Sequence, residues 1–270
     1  MKFAICNEIF QDWALPDAML FAAKTGYGAI EVAPFTIARN VTEVSREARQ
    51  RIRDDAARAG LSISGIHWVL AKTEGLHLTH SDPSIRQRTA RYFEDLVEFC
   101  ADLGGRVIVV GSPKQRSLLP GVAFDKAWEW ATGVFRDAVK RAEDRGVTIC
   151  FEPLAPAETD FINTAEEAVR FVQQLGSTSF KVILDVKAMC SETKPIPQII
   201  RETWPHFAYF HANDRNLKGP GFGDVDFRPI AAALKEVGYD GWVSVEVFDF
   251  AEGPEAIGQQ SLDYLRRAFA

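Results

Sequence analysis

The 270-residue sequence has no charge-free apolar run near the 18 residues that a membrane-spanning helix needs. Its N-terminal segment reaches an acid, Glu8, too early for the apolar stretch of a secretory signal peptide. Basic residues are not in surplus either, since 31 Lys and Arg stand against 37 Asp and Glu, a net charge of −6. Nucleic-acid binding draws on a local excess of Lys and Arg, so we expect no nucleic acid and no membrane as partner.

Cysteine is scarce, and no two cysteines form a CxxC pair. Cys6, Cys100, Cys150 and Cys190 lie far apart in the sequence, and a chain of this length can bury a core without disulfides. Cys6 and Cys150 fall within apolar runs, where a free thiol behaves as a small apolar side chain. We therefore expect structural thiols and a reducing compartment, the cytoplasm.

What the sequence does contain is a recurrence of short apolar runs, each followed by an amphipathic helical pattern. Several runs are continuous and β-branched, as in Val107–Val110, which is typical of parallel strands covered on both faces. The eight predicted strands are residues 3–6, 29–32, 62–67, 106–111, 147–152, 181–185, 207–211 and 242–247. Helix start and stop signals lie between them, for example before Pro83 and at Gly146.

No low-complexity linker or shift in composition divides the chain, so residues 1–270 are expected to form a single domain. Eight β–α units in this length match the roughly 250 residues of a (β/α)8 barrel. The alternative, a doubly wound open sheet, predicts a Gly-rich phosphate-binding turn after the first strand. The segment Cys6-Asn7-Glu8-Ile9-Phe10 contains no glycine. The prediction is an α/β fold, a single TIM barrel.

Polar residues at the strand ends of such a barrel converge on one mouth. Four consecutive predicted strands end in Glu152, Asp185, His211 and Glu246, at spacings of 33, 26 and 35 residues. Any one of these acids alone is more often a helix cap or a salt-bridge partner. Three carboxylates placed together repel each other, however, and a bound divalent cation would neutralise them. Three oxygen donors and one imidazole favour Mn²⁺, Mg²⁺ or Co²⁺, with Zn²⁺ as an alternative.

Other polar and aromatic residues near the predicted mouth are weaker candidates. His67 ends the third strand and is predicted to contact a hydroxyl group of a substrate, whereas Glu31 could equally bond backbone amides. Lys114 and Arg116 follow the fourth strand and would place two cations near a bound phosphate or acid, or simply remain solvated. The candidate apolar walls of a substrate site are Trp13, Trp68, Phe248 and Phe250.

Over essentially its whole length the chain resembles the xylose-isomerase-like superfamily of divalent-metal sugar isomerases and epimerases. In motif it is nearest to ketose 3-epimerases of the D-tagatose/D-psicose type. The matching segments are Phe151-Glu152-Pro153-Leu154, Leu184-Asp185-Val186, Phe210-His211-Ala212-Asn213-Asp214, Ser244-Val245-Glu246-Val247 and the Gly-rich residues 221–227. The resemblance implies that Glu152, Asp185, His211 and Glu246 hold the metal, with Mn²⁺ the expected ion. It also implies that Glu152 and Glu246 form the acid/base pair and that Glu158 contacts substrate.

Two positions depart from the pattern of the 3-epimerases that the chain resembles. Those enzymes carry a His three residues after the metal-binding Asp and an Arg six residues after the metal-binding His. Here these positions are Ala188 and Leu217. Lys187 and Arg215 are the candidate substitutes as substrate contacts. The metal centre is therefore predicted more firmly than the identity of the sugar.

The expected function is a metal-dependent sugar epimerase or isomerase that acts on a ketose or keto-sugar. One glutamate would remove a proton beside the carbonyl and the other would return it through a metal-bound enediolate. A lyase or hydrolase of 3-keto-sugars or glycosides is the alternative enzyme, and a non-catalytic sugar-binding barrel is a third hypothesis. An apurinic-site endonuclease fits less well, because its multi-zinc centre needs many histidines and this chain has 5. The partner is a small sugar, and assembly into a homo-oligomer stays open.

Overall fold

Eight parallel strands form a closed barrel in the computed structural model, which describes residues 1–270. The strands pair in chain order, and the last pairs with the first. They are β1 Lys2–Cys6, β2 Ala29–Val32, β3 Ser62–Ile66, β4 Val107–Val110, β5 Thr148–Phe151, β6 Phe180–Asp185, β7 Phe207–Ala212 and β8 Trp242–Val245. The predicted TIM barrel is confirmed.

Nine helices surround the barrel. They are α1 Leu15–Thr25, α2 Arg46–Ala59, α3 Pro83–Asp102, α4 Phe124–Arg145, α5 Ala165–Gln173, α6 Val186–Met189, α7 Ile196–Thr203, α8 Phe227–Glu236 and α9 Pro254–Ala268. None of them combines the length with the apolar character that crossing a bilayer demands.

The local sequence signals explain where the helices begin and end. The side chain of Asp82 accepts a hydrogen bond from Ser84 N at the start of α3, as an N-cap residue does. Helix α4 ends at Gly146, whose φ of 63° lies in the left-handed region that glycine adopts without strain. The backbone N–H of Gly146 donates to carbonyls of the last helical turn. These two boundaries are the ones that the sequence predicts.

Several predicted strands are one or two residues longer than the observed ones, and the difference positions the site. Glu152 follows β5 and Glu246 follows β8, so both side chains lie where the barrel wall opens into its loops. Asp185 still belongs to β6 and pairs in register with His211 on β7. The carboxyl ends of β5 to β8 therefore meet around one side of the mouth.

The main apolar core lies between the strands and the helices. Phe171 on α5 is fully buried there and packs its ring against five other aromatic rings. These neighbours are Trp128, Phe135, Phe151, Phe161 and Phe180, at centroid distances from 4.7 to 6.2 Å. A smaller apolar cluster contains Val109, Cys150, Ile183 and Tyr209. Tyr209 lies two residues before His211 and so points to the same side of β7, the barrel interior.

Truncation of the central aromatic side chain should destabilise the whole barrel. We expect Phe171→Ala to lower the free energy of unfolding by about 3–5 kcal/mol, because it removes a fully buried ring and leaves a cavity. Leu20→Ala is the control, since Leu20 is 58% exposed on α1. Urea unfolding followed by circular dichroism would measure both. Equal stability of the two variants would contradict this account of the core.

Candidate metal centre and substrate cavity

The four residues predicted as metal ligands lie together at the mouth of the barrel. One donor atom from each of Glu152, Asp185, His211 and Glu246 lies within 4.8 Å of the others. None of the four is more than 4% exposed. Three carboxylates are thus held close to one another away from water, an arrangement that is costly unless a positive charge compensates it.

The orientation of His211 gives a direct test of whether these residues fit a cation. Its Nε2 lies 3.1 and 3.2 Å from the two carboxylate oxygens of Glu31, so Nε2–H donates there and Nδ1 is the nitrogen that faces the cluster. His211 Nδ1 lies 3.0 Å from Glu246 Oε2, yet neither atom has a hydrogen-bond partner. Two buried atoms that can each ligate a metal thus face each other at close range, an arrangement that fits a shared divalent ion.

Asp185 is held by hydrogen bonds that leave its carboxylate facing the cluster. Its Oδ1 accepts from Ala188 N at 2.7 Å in the first turn of α6, and its Oδ2 accepts from the side-chain amide of Asn213. Asn213 Oδ1 in turn accepts from Lys187 N at 2.8 Å. Asn213 therefore supports Asp185. It lies within one of the matching sequence segments, but no sequence signal marks it as a site residue.

Glu152 is held differently, because its carboxylate accepts no hydrogen bond from the protein. Its Oε2 packs against the backbone of Gly111, where a Cβ atom would lie only 1.7 Å from that oxygen. The main-chain carbonyl of Glu152 accepts from Arg116 Nη1 at 2.6 Å. Gly111 therefore makes room for the carboxylate, and Arg116 fixes the backbone that carries it.

The prediction that both Lys114 and Arg116 lie near the mouth is wrong for Arg116. It is fully buried, its guanidinium lies 4.8 Å from the Phe151 ring centre, and it does not line the mouth. Lys114 is exposed and does line the mouth. Only one of the two expected cations is therefore available to a ligand there.

The pKa values of the two candidate acid/base glutamates are displaced in opposite directions. Burial, together with the charges of Glu246 and Asp185, raises the pKa of Glu152 to about 8. Burial also opposes ionisation of Glu246, but the adjacent His211 outweighs it and lowers the pKa of Glu246. Without a cation, the cluster thus holds one protonated and one ionised glutamate near neutral pH.

A second polar group lies behind the cluster, inside the barrel. His67 Nε2–H donates to Glu8 Oε2 at 2.7 Å, and His67 Nδ1 lies 3.7 Å from Glu31 Oε1. Glu31 also accepts from the Tyr209 hydroxyl at 2.9 Å and from His211. Glu31 therefore bonds side chains and not backbone amides. His67 is fully buried and does not line the cavity in which a substrate contact was predicted.

The cluster opens into a cavity of about 360 Å³, within the size range of small-molecule sites. Its polar lining includes Glu152, Glu158, Glu246, Lys114 and Lys187, all of which the sequence singles out. Lys187 Nζ donates to Glu158 Oε1 at 2.7 Å. The structure thus brings the acid/base candidates and three of the five predicted substrate contacts into one space.

An aromatic stack forms one wall of this cavity. The Trp68 ring lies between the Phe35 and Phe248 rings, with centroid distances of 5.8 Å to each. Trp68 Nε1–H donates to Glu246 Oε1 at 2.8 Å, so the same indole shapes the cavity and orients an acid/base candidate. Phe35 is absent from the sequence-based candidates, and no motif points to it.

Three further predicted residues lie outside this cavity. Arg215 is exposed and is not among the residues that line it. Trp13 and Phe250 line a neighbouring cavity instead. Arg215 follows β7 by three residues, and that spacing alone does not indicate which way the loop carries its side chain.

The comparisons with known proteins agree with this architecture. The model of a family described as "Xylose isomerase-like TIM barrel" matches residues 19–268. D-psicose 3-epimerase from Agrobacterium fabrum is 29% identical over 84% of this chain and 76% of its own length. The 3-dehydro-D-guloside 4-epimerase of Escherichia coli is 22% identical over 98% and 99%. A solved D-psicose 3-epimerase with D-tagatose, from Clostridium cellulolyticum H10, has a TM-score of 0.88 at 25% identity, covering 100% of this chain and 99% of that chain.

Removal of the charge on Glu31 should weaken metal binding without touching a ligand. We expect Glu31→Gln to lower the affinity for Mn²⁺ by about 10–100-fold, because the buried carboxylate that fixes the ring and proton of His211 is lost. Isothermal titration calorimetry on the metal-free protein would measure the change. Glu47→Gln, at an exposed position on α2, is the control. Unchanged affinity in Glu31→Gln would contradict the assigned role.

The stability of the metal-free protein should fall as the pH rises from about 5 to about 9. Glu152 keeps its proton to about pH 8 when folded but loses it near pH 4.5 when unfolded. Glu8 and Glu31 outweigh burial and raise the pKa of His67 to about 9, from 6.5 when unfolded. In both cases the folded state binds the extra proton, so its stabilising effect is lost on raising the pH.

Glu31 acts at the other end of the pH range. Although burial opposes its ionisation, His211 and His67 lower the pKa of Glu31 to about 2, so its contribution is lost only in acid, below about 4.5. We therefore expect the Tm in chelator to be highest at about pH 5–6 and to fall toward pH 9. Added Mn²⁺ should flatten the fall, and Glu152→Gln should remove part of it. A Tm that rises steadily from pH 5 to 9 would contradict this assignment.

Proposed function

Because the chain belongs to the xylose isomerase-like TIM barrel family, we propose that it is a divalent-metal-dependent sugar epimerase or isomerase acting on a ketose or keto-sugar. One observation carries the proposal: Glu152 and Glu246 line the same cavity, beside Asp185 and His211. The two glutamates follow β5 and β8, three strands apart around the barrel. They therefore approach a bound sugar from different sides, as inversion of a carbon centre requires.

The residues that would hold the cation are Glu152, Asp185, His211 and Glu246. Their three carboxylates and one imidazole favour Mn²⁺, with Mg²⁺, Co²⁺ or Zn²⁺ as alternatives. When bound there, the ion would polarise a substrate carbonyl and stabilise the negative charge that proton removal creates. The unpartnered His211 Nδ1 and Glu246 Oε2 are the structural support for this choice.

The two glutamates would divide the proton transfers between them. The ionised one removes the proton beside the carbonyl, and the protonated one donates a proton to the opposite face. In the metal-free cluster the pKa values of Glu152 and Glu246 are displaced in opposite directions, so the two residues are chemically unlike before a cation binds. Their roles exchange in the reverse reaction. Glu152 accepts no hydrogen bond from the protein, so its carboxyl group is free to bond the substrate, whereas Trp68 holds Glu246 in place.

The polar rim of the cavity would orient the sugar. Glu158 and Lys187 form a pair at 2.7 Å that presents both an acceptor and donors to hydroxyl groups. Lys114 adds a cation on the loop that follows β4. Leu217, at the position where the resembled 3-epimerases carry Arg, is 44% exposed, so that contact has no direct equivalent here. We therefore propose Glu158, Lys187 and Lys114 as the substrate contacts.

Solvent exchange tests the reaction and the acid/base pair together. Incubation with Mn²⁺ in D₂O and a panel of ketoses and 3-keto-glycosides should place deuterium at one carbon of a turned-over sugar. We expect Glu152→Gln and Glu246→Gln to slow epimerisation by about 10²–10⁴-fold, because each loses a positioned proton donor or acceptor. Each variant keeps one glutamate, which can remove a proton from one epimer and return a deuteron to the same face. One variant should therefore still exchange the proton of one epimer without inverting the carbon centre.

Glu47→Gln on the surface of α2 is the matched control, and the Tm of each variant checks its fold. No deuterium in any sugar with wild-type protein would overturn the epimerase proposal. Wild-type rates in Glu152→Gln or Glu246→Gln would remove that residue from the pair. Release of an aglycone in place of a stereoisomer would establish the alternative, a lyase or hydrolase of 3-keto-glycosides.

A further inference from the structure

A second cavity of about 370 Å³ adjoins the one that holds the candidate metal cluster. It lies beside the end of β1 and the start of α1, and Phe35, Trp68 and Lys72 line both cavities. We propose that it is a second sugar subsite, so that the preferred substrate is a two-ring keto-glycoside and not a free ketose. This inference rests on the proposed function, because it assigns the substrate class of the same site.

The strongest evidence for a ligand in this cavity is an unpartnered buried carboxylate oxygen. Glu8 lines the cavity and is only 4% exposed. Its Oε2 accepts from His67 Nε2–H at 2.7 Å, whereas its Oε1 has no hydrogen-bond partner. A buried acceptor left without a donor costs free energy, and the hydroxyl group of a bound sugar would supply that donor.

The remaining lining has the composition of a carbohydrate site. Phe10, Trp13 and Phe250 provide apolar ring surfaces, against which the C–H faces of a sugar can pack. Gln11 adds an exposed amide, with both a donor and an acceptor, at the rim. Aromatic surface with a few polar groups is typical of a small-molecule subsite and fits a polyhydroxylated ring.

The charges of the second cavity favour a neutral group over a phosphate or carboxylate. Glu8 is the one acid and Lys72 the one cation among its lining residues, so an anionic group would have to approach a buried carboxylate. The metal-site cavity has more charged groups of both signs, since Lys72, Lys114 and Lys187 line it together with three glutamates. The second cavity therefore suits an uncharged sugar ring.

The relative position of the two cavities agrees with a glycosidic link between two rings. Trp68 borders both cavities, and its Nε1–H donates to Glu246, one of the two acid/base candidates. Because Phe35, Trp68 and Lys72 line both cavities, a substituent on a ring beside Glu246 would enter the second cavity along this shared edge. The two spaces are also of nearly equal volume, about 360 and 370 Å³.

The test compares two substrates that share one reacting ring: the methyl 3-keto-hexoside and the matching 3-keto-disaccharide. Deuterium incorporation in the presence of Mn²⁺ gives kcat/KM for each. We expect the disaccharide to have the higher kcat/KM, by about 10-fold, because its second ring gains contacts in the second cavity. Gln11→Trp, which inserts a large ring at the exposed rim, should lower kcat/KM for the disaccharide by about 10-fold and leave the methyl hexoside within about 2-fold.

Glu8→Gln gives a second, independent measurement. It exchanges the carboxylate for an amide of the same shape, and the ratio of the two kcat/KM values cancels any general effect on the nearby centre. We expect this ratio to fall toward 1. Gln260→Trp, at an exposed position on α9 outside both cavities, is the matched control and should leave the ratio unchanged.

The outcomes separate this inference from the proposed function. Equal kcat/KM for the two substrates, with no change of ratio in Gln11→Trp and Glu8→Gln, would overturn the second subsite while the epimerase assignment stands. A free ketose turned over faster than either glycoside would also overturn it. If no sugar exchanges its proton, the proposed function fails, and the subsite fails with it.

Discussion

The hydrogen bond between His211 and Glu31 sets the arrangement of the polar groups inside this barrel. Glu31 accepts a hydrogen bond from His211 Nε2–H, which turns Nδ1 toward Glu246 and the rest of the cluster. It stays ionised because His211 and His67 outweigh its burial and lower its pKa to about 2. A neutral residue at this position would leave the tautomer of His211 unspecified, and an imidazole with the wrong nitrogen protonated cannot bind a metal.

Three buried carboxylates at one end of a barrel repel each other, which destabilises the folded protein. The three carboxylates of this cluster have different hydrogen-bond partners. Asp185 is stabilised by N–H donors from Ala188 and Asn213, and Glu246 by Trp68 and His211. Glu152 has no such donor, and burial together with the charges of Glu246 and Asp185 raises its pKa to about 8. In the metal-free cluster the two glutamates thus differ mainly because His211 lies beside Glu246 and lowers its pKa.

The sequence predicts which residues form the cluster better than it predicts their surroundings, and the reason is topological. Glu152, Asp185, His211 and Glu246 each end an apolar run, and closure of the barrel alone brings such positions together. The place of Arg215 depends on the path of a loop, which no periodicity encodes. Arg116 shares that difficulty: its segment looks like a solvated loop, but the guanidinium packs on Phe151 and bonds the backbone beneath Glu152. Gly111 contributes because it has no Cβ atom, which leaves room for the carboxylate of Glu152. This requirement can be recognised only when the position of the Glu152 side chain is known.

Trp68 shows how one residue outside the ligand set connects these features. Its φ of 50° lies in the left-handed region, which for a bulky side chain costs about 1–3 kcal/mol. Stacking between Phe35 and Phe248 and the hydrogen bond to Glu246 are the interactions available to offset that cost. The same ring borders both cavities. A group bound in the second cavity would therefore contact the indole that holds Glu246, so recognition of the distant part of a substrate and the position of an acid/base carboxylate depend on a single side chain.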